Sequence, residues 1–463
     1  MNNYATTIAA ISTPPGKGGV AIIRISGTDA LALASRVFRP VSGKAFEATK
    51  PRVQTRGNIY YGEEMIDDGM AVYFKAPASY TGEDTVEIYC HGGMLVTRTV
   101  LEATFAAGAT PAEAGEFTRR AFLNGKISLT DAEAIGILLE AESREQIKIF
   151  SPGSRSLLTE RLTRIRGEIT SVLSSIYARI DYPDEDLGDL TDSETLDMLI
   201  NIRSDLSSLM ATYQTGKAIN EGIVTVICGK PNVGKSSVYN LLLGRDAAIV
   251  TDIEGTTRDV LSDKIPLGRV MLDLSDTAGV RKNTSDPIEK IGIERSLDKI
   301  AEADLILAVF DTSRPFDSED RALLDGLRER QCAKIALLNK CDLDSRFDRG
   351  ELSGIFDLTL DISADKGRDE AIGALSTAVD SLFCDEKISV GCEAIIATAR
   401  QNASLTRAYE SLTLAIDAYK LGISTDAASS DVERALGAIA ELDGKAISDE
   451  IVSDIFSKFC VGK

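Results

Sequence analysis

The sequence predicts a multidomain chain of α+β and α/β class, with an N-terminal α+β domain, a helical domain, and an α/β nucleotide-binding module inserted in the helical domain. Three observations carry this. The β-branched run VTVIC feeds the loop Gly229-Lys230-Pro231-Asn232-Val233-Gly234-Lys235-Ser236, and the helical run SVYNLLL leaves it. Amphipathic stretches flank that module on both sides, and each has an apolar stripe to bury. The first 120 residues instead show short alternating runs bounded by Gly and Pro. The expected boundaries are 1–120, 121–217 and 218–384, with a second helical part over 385–463.

At 463 residues the chain exceeds what one hydrophobic core organises. Its seven cysteines are scattered without a CxxC pair, which points to a reducing, cytoplasmic setting with no zinc ribbon or disulfide framework. No secretory leader pattern stands at the N-terminus, and no apolar run has the span a bilayer needs. The net charge is −20, all of it beyond residue 120, because residues 1–120 hold 12 Lys+Arg against 12 Asp+Glu. A chain that grips nucleic acid unaided usually shows a basic excess, so a partner is expected to supply much of any hold on RNA.

Taken in order, VAIIRISG (20–27) reads as a strand, ALALASRVF (30–38) as a helix, and NIYYG, GMAVYFKAP and TVEIYCHGG as further strands. Arg24 and Glu87 lie inside two of these strands, where they either face solvent or hold a polar ligand across the sheet. His91 is the sole histidine, so no Ser-His pair or histidine-rich metal site can be built. From Thr130 the texture is helical, through TDAEAIGILLEAESREQIKIF, LLTERLTRIRGEITSVLSSIYARI and SETLDMLINIRSDLSSLMATYQTG. It returns in residues 394–422, in DVERALGAIAEL and in ISDEIVSDIFSKF.

The nucleotide module carries its motifs in the order a Ras-like GTPase requires. The glycines let backbone N–H groups approach phosphate, Lys235 neutralises the β/γ-phosphates, and the Ser236 hydroxyl reaches Mg²⁺. Thr257 of GTTRD adds a second hydroxyl to the metal. The strand VMLDLS leads to Asp276-Thr277-Ala278-Gly279, whose Asp reaches the metal shell and whose Gly N–H senses the γ-phosphate. ALLNKCD ends in Asn339-Lys340-Cys341-Asp342, and a carboxylate there accepts both N1–H and the 2-amino group of guanine, which adenine lacks. Ser363-Ala364-Asp365-Lys366 backs the base. Val280 occupies the place where Ras-type enzymes carry a water-orienting Gln, so another group must act. Glu289 is a candidate that equally reads as solvated surface. Asn232 is either a ligand for a monovalent cation beside the phosphates or a turn-former after Pro231.

Together these residues resemble the MnmE (TrmE) family of tRNA-modification GTPases, over essentially the whole chain. The resemblance rests on TPPGKGGVAIIRISG, FKAPASYTGEDTVEIYCHGG, GEFTRRAFLNGKISLTDAEAI, GKPNVGKSS, DIEGTTRD, DTAGVR, IEKIGIER and the terminal FCVGK. It departs in Val461, where Ile is usual, and in Ala114, where Pro is common. It implies a tetrahydrofolate-binding N-terminal domain that dimerises, with Arg24, Glu87, Lys126 and Lys463 around 5-formyl- or methylene-tetrahydrofolate. It implies GTP contacts from Asn232, Val233, Gly234, Lys235, Ser236 and Ser237, from Thr251, Asp252, Ile253, Glu254, Gly255, Thr256 and Thr257, from Asp276, Thr277, Ala278 and Gly279, and from Asn339, Lys340, Asp342, Ser363 and Ala364. Mg²⁺ would sit on Ser236 and Thr257, and K⁺ on Asn232, Thr251, Ile253 and Thr256; Glu289 would orient water. The family works as a homodimer with an FAD flavoprotein, MnmG, in a heterotetramer or larger complex that meets tRNA mainly through the partner. It places a carboxymethylaminomethyl or aminomethyl group on C5 of the wobble uridine. Cys460 is either a nucleophile toward a one-carbon unit or packed filler. A ribosome-assembly regulator and a scaffold with a vestigial GTPase are the alternatives; the first has no use for a folate domain or FCVGK, and the intact motif set speaks against the second.

Overall fold

The computed structural model describes residues 6–182, 190–244, 264–274, 302–364, 367–423, 425–444 and 449–463. The chain divides into two compact units, Met1–Leu139 with Gly437–Lys463, and Glu140–Leu436.

The first unit is built on a seven-stranded sheet. Its strands are β1 (Ile8–Ile11), β2 (Ala21–Ser26), β3 (Phe38–Pro40), β4 (Thr55–Tyr61), β5 (Glu64–Phe74), β6 (Thr85–Cys90) and β7 (Thr110–Pro111). They lie in the order β3-β4-β5-β6-β2-β1-β7, antiparallel except for the β1–β7 pair. The period of two along β2 buries Ala21, Ile23 and Ile25 against α1 (Ala30–Val37) and α2 (Met94–Ala106) and turns Arg24 to the other face. β6 repeats this, with Val86 and Ile88 buried and Glu87 opposite. Each such isoleucine contributes about 1.5–3 kcal/mol through burial. The register places Arg24 directly beside Glu87.

On the second face, Ile8, Ala10 and Ala112 pack on Phe117 of α3 (Glu116–Leu123). A further cluster joins Leu129 and Ala132 of α4 (Leu129–Leu139) to Val452, Phe456 and Phe459. Thus this unit runs past residue 120 and takes in the end of the chain. The stretch read as helical from Thr130 forms two helices, α4 and α5 (Arg144–Phe150). The break is local chemistry: Ser143 caps α5 and Gln146 reaches back to it in a capping box.

The second unit contains α5, α6 (Pro152–Asp181), α7 (Asp192–Met210) and α8 (Tyr213–Asn220), then a six-stranded sheet. The sheet comprises β8 (Ile223–Cys228), β9 (Lys264–Leu267), β10 (Val270–Asp273), β11 (Leu305–Asp311), β12 (Ala333–Asn339) and β13 (Leu358–Asp361), in the order β13-β12-β11-β8-β10-β9. All pairs are parallel except β9–β10. β11 is buried along its whole length, as a parallel strand covered on both faces must be, which explains its unbroken apolar run. Helices α9 (Lys235–Leu243) and α10 (Ser318–Arg328) lie between strands in sequence, and α11 (Arg368–Phe383) follows β13. α12 (Ala399–Lys420) follows the sheet in sequence and packs on α7, which precedes it. The helix in residues 394–422 starts at 399 because Thr398 caps it, while Ala394–Ala397 lie buried before the cap. The last helices are α13 (Thr425–Leu442) and α14 (Asp449–Ser457). Among the described residues no helix is long and apolar enough to cross a membrane.

Candidate functional site

β8 ends at Cys228 and α9 begins at Lys235, so the intervening loop lies where strand C-termini and a helix N-terminus converge. Gly234 adopts φ +102°, which side chains disfavour, and a Cβ there would collide with the Asn339 amide. That amide donates to the Val233 carbonyl at 2.9 Å and its oxygen accepts from Ala364 N–H at 3.1 Å. Asn339 therefore ties the loop after β8 to the loop after β13. Asn232 sits at φ +64°, a left-handed turn that asparagine tolerates.

Lys235 donates from Nζ to the carbonyls of Gly229 at 2.8 Å and Lys230 at 2.9 Å, so its charge lies across the loop. Ser236, in the first turn of α9, is exposed. Lys340, also left-handed at φ +64°, bonds Asp311 at 2.5 Å and the Asn232 carbonyl at 3.2 Å. Burial works to raise the Asp311 carboxyl pKa, but hydrogen bonds from Lys340 and Ser313 outweigh it and leave it below its ordinary value. Asp342 is exposed, with Oδ1 accepting from Ser363 Oγ at 3.0 Å, which orients the carboxylate. The structure thus gathers Asn232, Val233, Gly234, Lys235, Asn339, Lys340, Asp342, Ser363 and Ala364 at the C-terminal edge of one sheet. Thr251, Asp252, Ile253, Glu254, Gly255, Thr256, Thr257, Asp276, Thr277, Ala278, Gly279 and Glu289 lie outside the described residues.

In the first unit, Arg24 Nε and Nη2 reach Glu87 Oε1 at 3.0 and 2.9 Å, both side chains largely buried. The two strand charges answer each other on the face away from α1 and α2. Tyr80 and Phe117 flank the guanidinium, with ring centroids 5.5 and 5.6 Å from Cζ. Tyr89 Oη donates to Glu87 Oε2 at 2.8 Å; burial, then this bond, push its pKa up to about 12. The chain terminus joins the same face. Phe117 N–H donates to the Lys463 carbonyl at 3.2 Å, Ser12 Oγ donates to the Gly462 carbonyl at 3.1 Å, and Val461 bridges to Ala114. Gly462 is at φ +100° and a Cβ would strike the Ile11 carbonyl, so the tail fits only as glycine. Lys126 donates to the Pro77 carbonyl at 3.0 Å. Cys460 is exposed rather than packed.

Sequence reading passed over three groups. Arg120, 1% exposed, pairs with Glu116 at 2.7 Å and Glu83 at 3.1 Å and donates to the Thr6 carbonyl at 2.9 Å. The i,i+4 spacing of Glu116 and Arg120 was its only sequence signal. Lys230 pairs with Asp317 and Asp320, each at 2.7 Å. Asp67, Asp68 and His91 bring metal-capable atoms within 4.8 Å of one another. Both Asp67 oxygens are already taken by His91, through Nδ1 at 2.7 Å and the backbone N–H at 2.8 Å. That bond raises the imidazole pKa and clasps the turn after β6.

A mostly parallel sheet whose first loop cradles a lysine at a helix N-terminus, with an Asn-Lys-x-Asp loop tied to it, defines the class: a P-loop GTPase. Residues 7–126 match the family described as GTP-binding protein TrmE N-terminus, and residues 129–460 match the MnmE helical domain. The tRNA modification GTPase MnmE of Clostridioides difficile is 37% identical over 457 residues, covering 99% of each chain. That of Thermotoga maritima is 39% identical over 462 residues, covering 99% of this chain and all of its own. The chain belongs to the MnmE family of tRNA modification GTPases. Era of Aquifex aeolicus, as a point variant bound to GDP and AlF4⁻, is 19% identical over 42% of this chain and 67% of its own, with a TM-score of 0.25.

Proposed function

We propose that this GTPase drives addition of a carboxymethylaminomethyl or aminomethyl group to C5 of the wobble uridine of certain tRNAs. It would do so as a homodimer in the cytoplasm, with an FAD flavoprotein that supplies most of the tRNA contact, and with a tetrahydrofolate as one-carbon donor. The observation that carries this reading is identity of 37–39% to tRNA modification GTPases over 99% of the chain. The absence of a basic excess supports a partner that grips the RNA.

Glu87 paired to Arg24, with Lys463 anchored on Phe117 beside them, would bind the donor's polar groups, with Lys126 nearby on the Pro77 carbonyl. In the GTPase site, Lys235 would move from loop carbonyls to phosphate, and Ser236 with Thr257 would hold Mg²⁺, which neutralises charge on the phosphates. Asn232 with Thr251, Ile253 and Thr256 would hold K⁺ as two GTPase modules close on each other, and Glu289 would orient water in place of the absent glutamine.

The reading is tested on tRNA nucleosides from a strain lacking this protein, complemented with wild-type or Lys235→Ala chain. Unsubstituted wobble uridine is expected with the deletion and with Lys235→Ala; normal substitution in the deletion strain would reject the reading. K⁺ is expected to raise the turnover number at least about tenfold over Na⁺ at equal ionic strength. Equal rates in the two salts would remove the cation from the mechanism.

A further inference from the structure

The geometry points to Lys230 as a positioning residue: its ammonium, clamped between Asp317 and Asp320 at the start of α10, holds the phosphate-binding loop in its nucleotide-competent shape. The proposal rests on the GTPase assignment and is independent of folate, flavoprotein and tRNA.

Lys230 stands second in the loop, and its side chain leaves the loop for a neighbouring element. Nζ reaches Asp317 Oδ2 and Asp320 Oδ2, both at 2.7 Å, with Lys230 only 10% and Asp320 3% exposed. The same carboxylates form the capping box of α10. Asp317 Oδ1 accepts from Glu319 N–H at 3.0 Å and Asp320 N–H at 3.1 Å, and Asp320 Oδ2 accepts from Asp317 N–H at 3.2 Å. Asp317 thus serves the helix end with two bonds and the loop with one, and Asp320 serves each with one. A carboxylate as buried as Asp320 requires a cation, and Lys230 is its ion-pair partner. Burial works to lower the Lys230 pKa, but the two carboxylates overcome it and raise it, so the ammonium stays charged.

The loop end of the clamp matters for nucleotide. The Lys230 carbonyl accepts from Lys235 Nζ, as does that of Gly229, so the side chain of Lys230 fixes a backbone group against which the phosphate-binding lysine is set. Lys340 fixes the other side of the loop through the Asn232 carbonyl. With the clamp cut, the free loop spends less time in the shape that receives phosphate, and apparent affinity falls by that fraction. Bound nucleotide restores the shape, so the hydrolytic step is spared. A residue that acts on the transition state would show the opposite split.

The test compares Lys230→Met and Lys230→Arg with wild type in GDP binding and steady-state GTP hydrolysis. Lys230→Met is expected to raise both the GDP dissociation constant and KM about tenfold, as loss of a charged hydrogen-bond pair predicts, with kcat within about threefold. Lys230→Arg is expected to recover most of the loss. Wild-type affinity in Lys230→Met overturns the proposal; so does a kcat that falls more than KM rises, or an Arg variant as weak as the Met variant. Should Lys230→Met fail to fold, the double variant Asp317→Asn/Asp320→Asn decides, since asparagine still caps the helix but neither side chain then carries charge toward Lys230. A raised KM at an unchanged melting temperature supports the clamp, and an unchanged KM overturns it.

Discussion

An Asp342→Asn chain is expected to lose GTP affinity on the order of 10²–10⁴-fold and to gain affinity for XTP. In the proposed reading this carboxylate accepts from N1–H and the 2-amino group of guanine. An asparagine keeps one acceptor oxygen but turns an N–H₂ toward a donor, so one pairing is lost and a repulsive contact replaces it. Xanthine carries a carbonyl at C2 and restores the match. Asp342 is exposed and reaches the protein through Ser363 Oγ at 3.0 Å, a bond an asparagine oxygen also accepts. Its replacement therefore leaves folding intact, and the effect falls on recognition. Competition of GDP and XDP for the free chain measures it; an unaltered GDP constant would show that another group selects the base.

Arg120→Ala is expected to cost about 3–5 kcal/mol, because removing one member of a buried ion network leaves the others uncompensated. Glu83 and Glu116, 18% and 13% exposed, would then face each other without the guanidinium that separates them. Glu83 also accepts from Ser26 Oγ at 2.8 Å, so the loss spreads to β2, and the Thr6 carbonyl loses its donor. For a unit of this size the melting temperature should fall by roughly 6–20 °C. Calorimetry of the full chain, which has no tryptophan to report by fluorescence, is the suitable measurement. Arg120→Lys should recover only part of the loss, since a single ammonium cannot match the fork that serves two carboxylates and a carbonyl. An unshifted transition would mean that water replaces the guanidinium without cost.

The GTPase motifs were legible in the chain because phosphate and guanine recognition use backbone turns and short contiguous loops. The P-loop glycines, Lys235 and the Asn339–Asp342 loop declare themselves by spacing, and strand and helix flank them in the expected order. The alternation in β2 and β6 likewise marked the strands that carry Arg24 and Glu87. What spacing left open was where those charges point. The antiparallel register decided that, by setting Arg24 against Glu87 from 63 residues away.

Sequence alone determined the local features of this protein: the glycine-rich loop with its lysine, the Asn-Lys-x-Asp loop, and helices and strands with their apolar faces. Tertiary structure alone decided which distant charges meet. Lys230 finds Asp317 and Asp320, and Arg120 finds Glu83. The physical reason is that phosphate binding is a property of consecutive backbone groups, whereas compensation of a buried charge depends on whatever the fold brings within about 3 Å of it.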